Sequence, residues 1–273
     1  MLWLLALALA AAATAAFVAR WLRVRRRRAL RKRARPRLPV VLAHGFLGFD
    51  EVAIGSLKHA YFRGIDARLT QMGAKVYTPR VPPAASVVTR AQRLADLIKA
   101  LPEPRVNIVA HSMGGLDARY AIAQLGLSDK VASLTTIATP HLGTPLADIG
   151  SKLLARFVRM LGRLIDLRAF VELTTDQMAQ FNRLNQNVPG VSYGSVIARS
   201  TQLGTHPLLW ATHRYLTKRA GANDGVVPSA SQPWGDVIRE IDADHWAQIG
   251  WTRTYDAESL YEELLQDLRG RGF

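Results

Sequence analysis

Val106-Asn107-Ile108-Val109-Ala110-His111-Ser112-Met113-Gly114-Gly115 carries an apolar, β-branched run straight into a small-His-Ser-x-Gly pentapeptide, and a helical pattern starts immediately after it. The run reads as a buried strand. Strand, sharp turn and helix in that order form the setting of a nucleophile elbow, where the turn holds a serine in a strained backbone conformation. The residues two places to either side of the serine must then be small, and here they are Ala110 and Gly114. Glycine is the commoner residue at the first of these places. The competing reading makes Ser112 the cap of an ordinary helix.

A serine hydroxyl is a weak nucleophile at neutral pH. It needs a base, an acid to orient that base, and donors for the oxyanion that develops. Upstream, Pro39-Val40-Val41-Leu42-Ala43 reads as a second buried strand running into His44-Gly45-Phe46-Leu47-Gly48. Gly45 and Gly48 allow a tight turn that presents amides to a bound carbonyl. The expected oxyanion donors are the backbone amides of Phe46 and of Met113, the residue after the serine. His44 either holds this loop or acts as a second base, and its place beside the glycines favours the loop. His111 and Gly114 support the elbow in the same way.

Downstream, Ala222-Asn223-Asp224-Gly225-Val226-Val227-Pro228 is a turn cluster that carries an acid, and His245 follows the expected strand Val237–Ile241. In the α/β-hydrolase arrangement the order along the chain is serine, acid, histidine. Ser112, Asp224 and His245 satisfy it. Asp242 and Asp244 are rival acids, too near His245 in sequence to reach round to its Nδ1 easily. His206 and His213 are rival bases that precede Asp224 and break the order.

Taken together, Val41-Leu42-Ala43-His44-Gly45-Phe46-Leu47-Gly48-Phe49-Asp50, the Ala-His-Ser-Met-Gly-Gly elbow and Ala222-Asn223-Asp224-Gly225 resemble the bacterial triacylglycerol lipases of the Pseudomonas type. Gly73–Tyr77, Thr139–Thr144 and Gly190–Tyr193 extend the likeness over roughly Leu38 to Gly250. The resemblance implies an α/β-hydrolase fold and hydrolysis of carboxylic esters, with Ser112 as nucleophile, Asp224 as acid and His245 as base. That family typically binds a structural calcium through an acid two residues after the catalytic histidine. Here Ala247 occupies that place, followed by Gln248, so a calcium site is not expected. The family often has a disulfide as well, and this chain has no cysteine. No metal or organic cofactor is expected. An acyltransferase, thioesterase or amidase would use the same three residues, and a catalytically silent membrane-bound scaffold is the remaining alternative.

With 273 residues and 49% hydrophobic content, the chain has room for one catalytic domain, expected over 38–273. Residues 1–19 carry no charge and are rich in Leu and Ala. At about 1.5 Å per residue in a helix they reach roughly 28 Å, close to a bilayer's hydrocarbon thickness. A cleaved signal peptide would have a basic start and a shorter apolar core. Eleven cations follow between Arg20 and Arg37, most of the net charge of +15. The expectation is an uncleaved transmembrane anchor over 1–22 and a polybasic juxtamembrane linker over 23–37. The positive-inside rule places the catalytic domain on the cytoplasmic side, with the basic run against anionic head groups. A nucleic-acid partner is not expected, because the basic run abuts an apolar segment and no aromatic-interleaved motif accompanies it.

The pattern after the anchor alternates strand and helix, as in a mostly parallel sheet with helices on both faces. Strands are expected at Val40–Ala43, Lys75–Tyr77, Val106–Ala110, Val131–Ala138, Val191–Ala198 and Val237–Ile241, with helices notably at Ala85–Leu101 and Met113–Leu125. A last helix should begin near Asp256 and end at Gly270. Between them, Leu146, Ile149, Leu153, Phe157, Met160, Leu164, Leu167 and Val171 form an apolar helical stripe, with Lys152, Arg156, Arg159 and Arg163 on another face. It marks an insertion at about 145–185, read either as a lid over an acyl pocket or as a plain amphipathic helix packed on the domain. Trp210, Trp234, Trp246 and Trp251 are candidates for an acyl pocket or for the core.

Overall fold

The computed structural model describes residues 36–46, 52–54, 57–150 and 171–273. Among the described residues, eight strands run in chain order: β1 Val40–Ala43, β2 Val52–Ile54, β3 Leu57–His59, β4 Val76–Tyr77, β5 Val106–His111, β6 Val131–Ile137, β7 Ser192–Arg199 and β8 Asp236–Asp242. The helices are α1 Ile65–Gln71, α2 Val87–Lys99, α3 Gly114–Gln124, α4 Thr175–Leu184, α5 Trp210–Ala220 and α6 Ala257–Gly270. Six strands form one sheet in the order β4-β1-β5-β6-β7-β8, parallel at every pairing. β2 and β3 form a separate antiparallel pair.

Side-chain alternation in β1 explains why helices cover both faces of this sheet. Val40 and Leu42 join a cluster with Leu260, Leu264 and Leu268 of α6. Val41 and Ala43 point the other way, into a cluster with Leu94 and Ile98 of α2. A strand buried on both faces must be apolar throughout, as β1 is. Truncating fully buried Leu42 to alanine should cost about 2–5 kcal/mol.

The expected strands and the three named helices are present within two residues at each end, and β5 runs one residue further, through His111. Asp256 caps α6, its carboxylate accepting from the Ser259 amide at 3.1 Å. The expected anchor at 1–22, and the basic run apart from residues 36–37, lie outside the described residues. Among the described residues no helix is long and apolar enough to cross a membrane. Of the expected insertion, 145–150 is helical, 151–170 lies outside the described residues and α4 closes it.

Candidate active site

The loops that leave the carboxyl ends of parallel strands meet at one edge of the sheet, where such folds open a ligand crevice. β5 ends at His111 and α3 begins at Gly114, so Ser112 stands on a two-residue turn. Its φ is +56°, in the left-handed region that non-glycine residues rarely adopt. The strain is held by neighbours on both sides. The Ser112 amide donates to the Ile137 carbonyl at 2.9 Å, and the Thr139 hydroxyl donates to the Ser112 carbonyl at 2.7 Å.

Two glycines let the loop after β1 press against this turn. A Cβ on Gly114 would come within 2.5 Å of the Ala43 carbonyl oxygen, and one on Gly45 within 2.7 Å of the Ser112 Cβ. His44 bonds to backbone through both ring nitrogens. Its Nδ1 donates to the Gly45 carbonyl at 3.0 Å, and its Nε2 accepts from the Val81 amide at 3.3 Å. Gly48 lies outside the described residues.

Asp224 and His245 meet at 2.7 Å, Nδ1 to Oδ2, with the carboxylate fully buried. All of the acceptor capacity of Asp224 is used. Oδ1 accepts from the amides of Val226 at 2.9 Å and Val227 at 2.7 Å, and Oδ2 also accepts from Gln248 Nε2 at 3.0 Å. The His245 amide donates to the Asp224 carbonyl at 2.9 Å, so backbone and side chain align the two residues together. Ser112, His245, Phe46, Tyr61, Trp246 and Trp251 line one cavity of about 250 Å³. Met113 is fully buried at the start of α3, beneath the turn.

The rival residues are engaged elsewhere. Asp242 faces Arg199 at the surface. Asp244 accepts from the amides of Trp246 and Ala247 through Oδ1 and from the His206 amide through Oδ2. His213 bonds Gln202 and the Ser200 carbonyl, and the His206 ring lies against Trp246. The place that would supply a calcium ligand holds the buried methyl of Ala247, and the nearest acid, Asp244, has both oxygens bonded to amides. These residues do not fit a cation site.

Sequence reasoning missed three residues. Arg90, fully buried on α2, donates to the carbonyls of His44 at 2.8 Å and Gly45 at 3.2 Å, and forms an ion pair with Asp117. It bolts the β1 loop in place. Gln248 and Tyr61 reach His111 from opposite sides. Arg90 falls in an ordinary amphipathic helix pattern, and only its partners, distant in sequence, mark it out. Burial, with the nearby His245, holds the His111 ring well below the usual imidazole range, so it is neutral. Among the tryptophans, Trp246 and Trp251 line the cavity, Trp234 packs under Arg119, and Trp210 is largely exposed.

A strained serine turn and a histidine paired with a buried acid thus line one cavity at the carboxyl edge of a parallel sheet. The α/β-hydrolase fold family profile matches residues 39–213. A triacylglycerol lipase of Pseudomonas fragi is 30% identical over 86% of this chain and 97% of its own length. Triacylglycerol lipase 2 of Saccharomyces cerevisiae is 30% identical over 87% of this chain and 93% of its own length. In structure, a metagenomic carboxyl esterase shares the fold with a TM-score of 0.74 and 21% identity, over 86% of this chain and 76% of that one. The chain belongs to the α/β-hydrolase family, in its lipase group, and is a carboxylic ester hydrolase.

Proposed function

We propose that the protein is a serine hydrolase of acyl esters and lipids that works through an acyl-enzyme on Ser112. The observation that carries this reading is the buried 2.7 Å contact between His245 and Asp224, in the wall of the cavity that also receives Ser112. His245 Nε2 takes the Ser112 proton as Oγ attacks the ester carbonyl, and Asp224 stabilises the imidazolium. The amides of Phe46 and Met113 hold the tetrahedral oxyanion. The imidazolium then protonates the leaving alcohol, and the acyl group stays on Ser112. A water activated by His245 attacks the acyl carbonyl, releasing the acid and restoring the serine.

The apolar segment 1–22 and the basic residues after it support membrane attachment with the catalytic domain on the cytoplasmic side, against anionic head groups. Proteolysis of inside-out vesicles tests this placement. Labelling by a fluorophosphonate tests the site, since the reagent needs an activated serine. Wild type should label at Ser112, Ser112→Ala should not label, and His245→Ala should label far more slowly. Equal labelling of wild type and Ser112→Ala would contradict the proposal.

A further inference from the structure

His111, the residue before the elbow serine, has a buried hydrogen-bonded partner on each ring nitrogen. Tyr61 Oη lies 2.7 Å from Nδ1, and Gln248 Oε1 lies 3.0 Å from Nε2. Gln248 is fully buried and reaches Asp224 Oδ2 at 3.0 Å through Nε2. At the other end of the chain of bonds, the Tyr61 oxygen packs against Gly45, where a Cβ would lie 2.7 Å from it. Gly45 immediately precedes Phe46, the proposed oxyanion donor.

The direction of every bond follows from the acid. An ionised carboxylate only accepts, so Gln248 must turn its amide N–H groups towards Asp224. Its carbonyl oxygen then faces His111 Nε2, which must carry the proton. A neutral imidazole has one bare nitrogen, so Nδ1 accepts and the Tyr61 hydroxyl donates. The path reads Tyr61 O–H to His111, His111 N–H to Gln248, Gln248 N–H to Asp224. It meets the His245 N–H at the same carboxylate oxygen.

We propose that Tyr61 and Gln248 are positioning residues: through His111 they lock the Asp224 carboxylate in one hydrogen-bonded path of fixed direction, whose far end, Tyr61, packs against Gly45 in the loop that carries the Phe46 amide. The proposal rests on the triad reading above. Removing a donor next to a catalytic group lets that group drift, and such outer partners typically count for 10–100-fold. The His111 and His245 rings lie with centroids 4.6 Å apart, so a neutral His111 also leaves His245 as the only one of the two to take charge during turnover.

Four variants of the full chain test it. Gln248→Leu should lower kcat about 30-fold and leave KM within about twofold, because a misplaced acid harms the transition state more than substrate binding. Tyr61→Phe should lower kcat about 10-fold in the wild-type background and by less than about twofold in the Gln248→Leu background, since a broken path cannot be broken again. Gln248→Glu gives the pH readout. When protonated, the introduced carboxyl can accept from His111 and donate to Asp224 as the amide does. When ionised, it opposes Asp224, while His111 and His245 are the other titratable groups facing it. That variant should approach wild-type kcat at low pH and lose activity as pH rises, on top of the wild-type profile. A merely structural role would not move the profile in this way.

A direct reading comes from the side-chain 15N resonances of His111, which should report the neutral tautomer protonated at Nε2 in the wild type and in Ser112→Ala alike. Multiplicative losses in the double variant, an unshifted Gln248→Glu profile, or a His111 protonated at Nδ1 would each overturn the proposal. If Ser112→Ala kept full activity while His111 showed the Nε2 tautomer, the triad reading would fail and the hydrogen-bonded path would stand.

Discussion

The Arg90 guanidinium and the Asp117 carboxylate meet at 2.8 Å with neither side chain exposed to solvent. The pair joins α2 to α3, and Arg90 also donates through Nη2 to the His44 and Gly45 carbonyls of the loop after β1 and through Nη1 to the Pro82 carbonyl. A buried ion pair is a weak source of net stability, but breaking it on one side is costly because the other charge is left alone. Here the geometry also serves the loop. With its carbonyls held by Arg90, the loop is fixed beside the Ser112 turn.

Arg90→Met should therefore destabilise the protein by about 3–5 kcal/mol, the penalty of an uncompensated buried carboxylate. Arg90→Met combined with Asp117→Leu should recover most of that stability and little of the activity, since the His44 and Gly45 carbonyls still lack their donor. Urea unfolding and ester turnover on both variants separate the two effects. Recovery of activity together with stability would show that Arg90 serves the fold alone.

Stability should fall with acidification, and the sign comes from opposing buried groups. Burial holds His111 and His141 well below the usual imidazole range, so these rings stay neutral in the folded state while the unfolded chain takes up protons below about pH 6.5. Their contribution is present above that pH and is lost as pH falls. Asp117 works the other way: burial raises its carboxyl to about 6, with Arg90 limiting the rise, so the folded state holds that proton earlier than the unfolded chain does. Its contribution grows as pH falls from about 6 towards its ordinary value. Two uptakes against one leave a net uptake of about one proton on unfolding near pH 5, a loss of about 1.4 kcal/mol per pH unit. Urea midpoints at pH 7, 6 and 5 check the slope, and a midpoint that rises on acidification would contradict it.

Gly45→Ala should lower kcat at least about 10-fold, because the new methyl would lie 2.7 Å from both the Ser112 Cβ and the Tyr61 hydroxyl. Something must shift, and each neighbour belongs to the site. Gly270→Ala, where nothing lies within 4 Å and φ is not positive, as at Gly45, controls for the general effect of replacing a glycine. Unchanged turnover in Gly45→Ala would mean that the loop relaxes without harm.

A cavity of about 250 Å³ is small beside the usual range of ligand pockets, roughly 300–1,000 Å³. Short acyl chains should be preferred. Trp246 and Trp251 stand in its wall. Trp246→Ala should move the optimum of an acyl-length series upwards, by the volume of the lost indole. An optimum that does not move would place the acyl chain elsewhere.

Much of the fold was legible because its signals are local. The β-branched runs at Val40–Ala43 and Val106–Ala110 can only be strands buried on both faces, and Ser112 between Ala110 and Gly114 specifies a turn too tight for larger neighbours. Asp224 and His245 were legible by chain order. What stayed hidden depends on contacts between residues distant in sequence. Gln248 is an ordinary glutamine until folding sets it between His111 and Asp224, and Arg90 looks like one more basic residue on an amphipathic helix until its partners on β1's loop and on α3 surround it. α1 and α5 are short helices of mixed polarity, whose faces are defined by what they pack against. The antiparallel β2–β3 pair has three residues in each strand, too few for a period to show.

The most direct test of the central claim is turnover of a p-nitrophenyl ester series, from acetate to palmitate, by wild type and Ser112→Ala side by side, with and without a calcium chelator. Wild type should show chelator-insensitive hydrolysis, strongest on short chains, and Ser112→Ala a fall of about 10⁴-fold or more with the fold intact. Hydrolysis that survives in Ser112→Ala at the wild-type rate would contradict the assignment of the site.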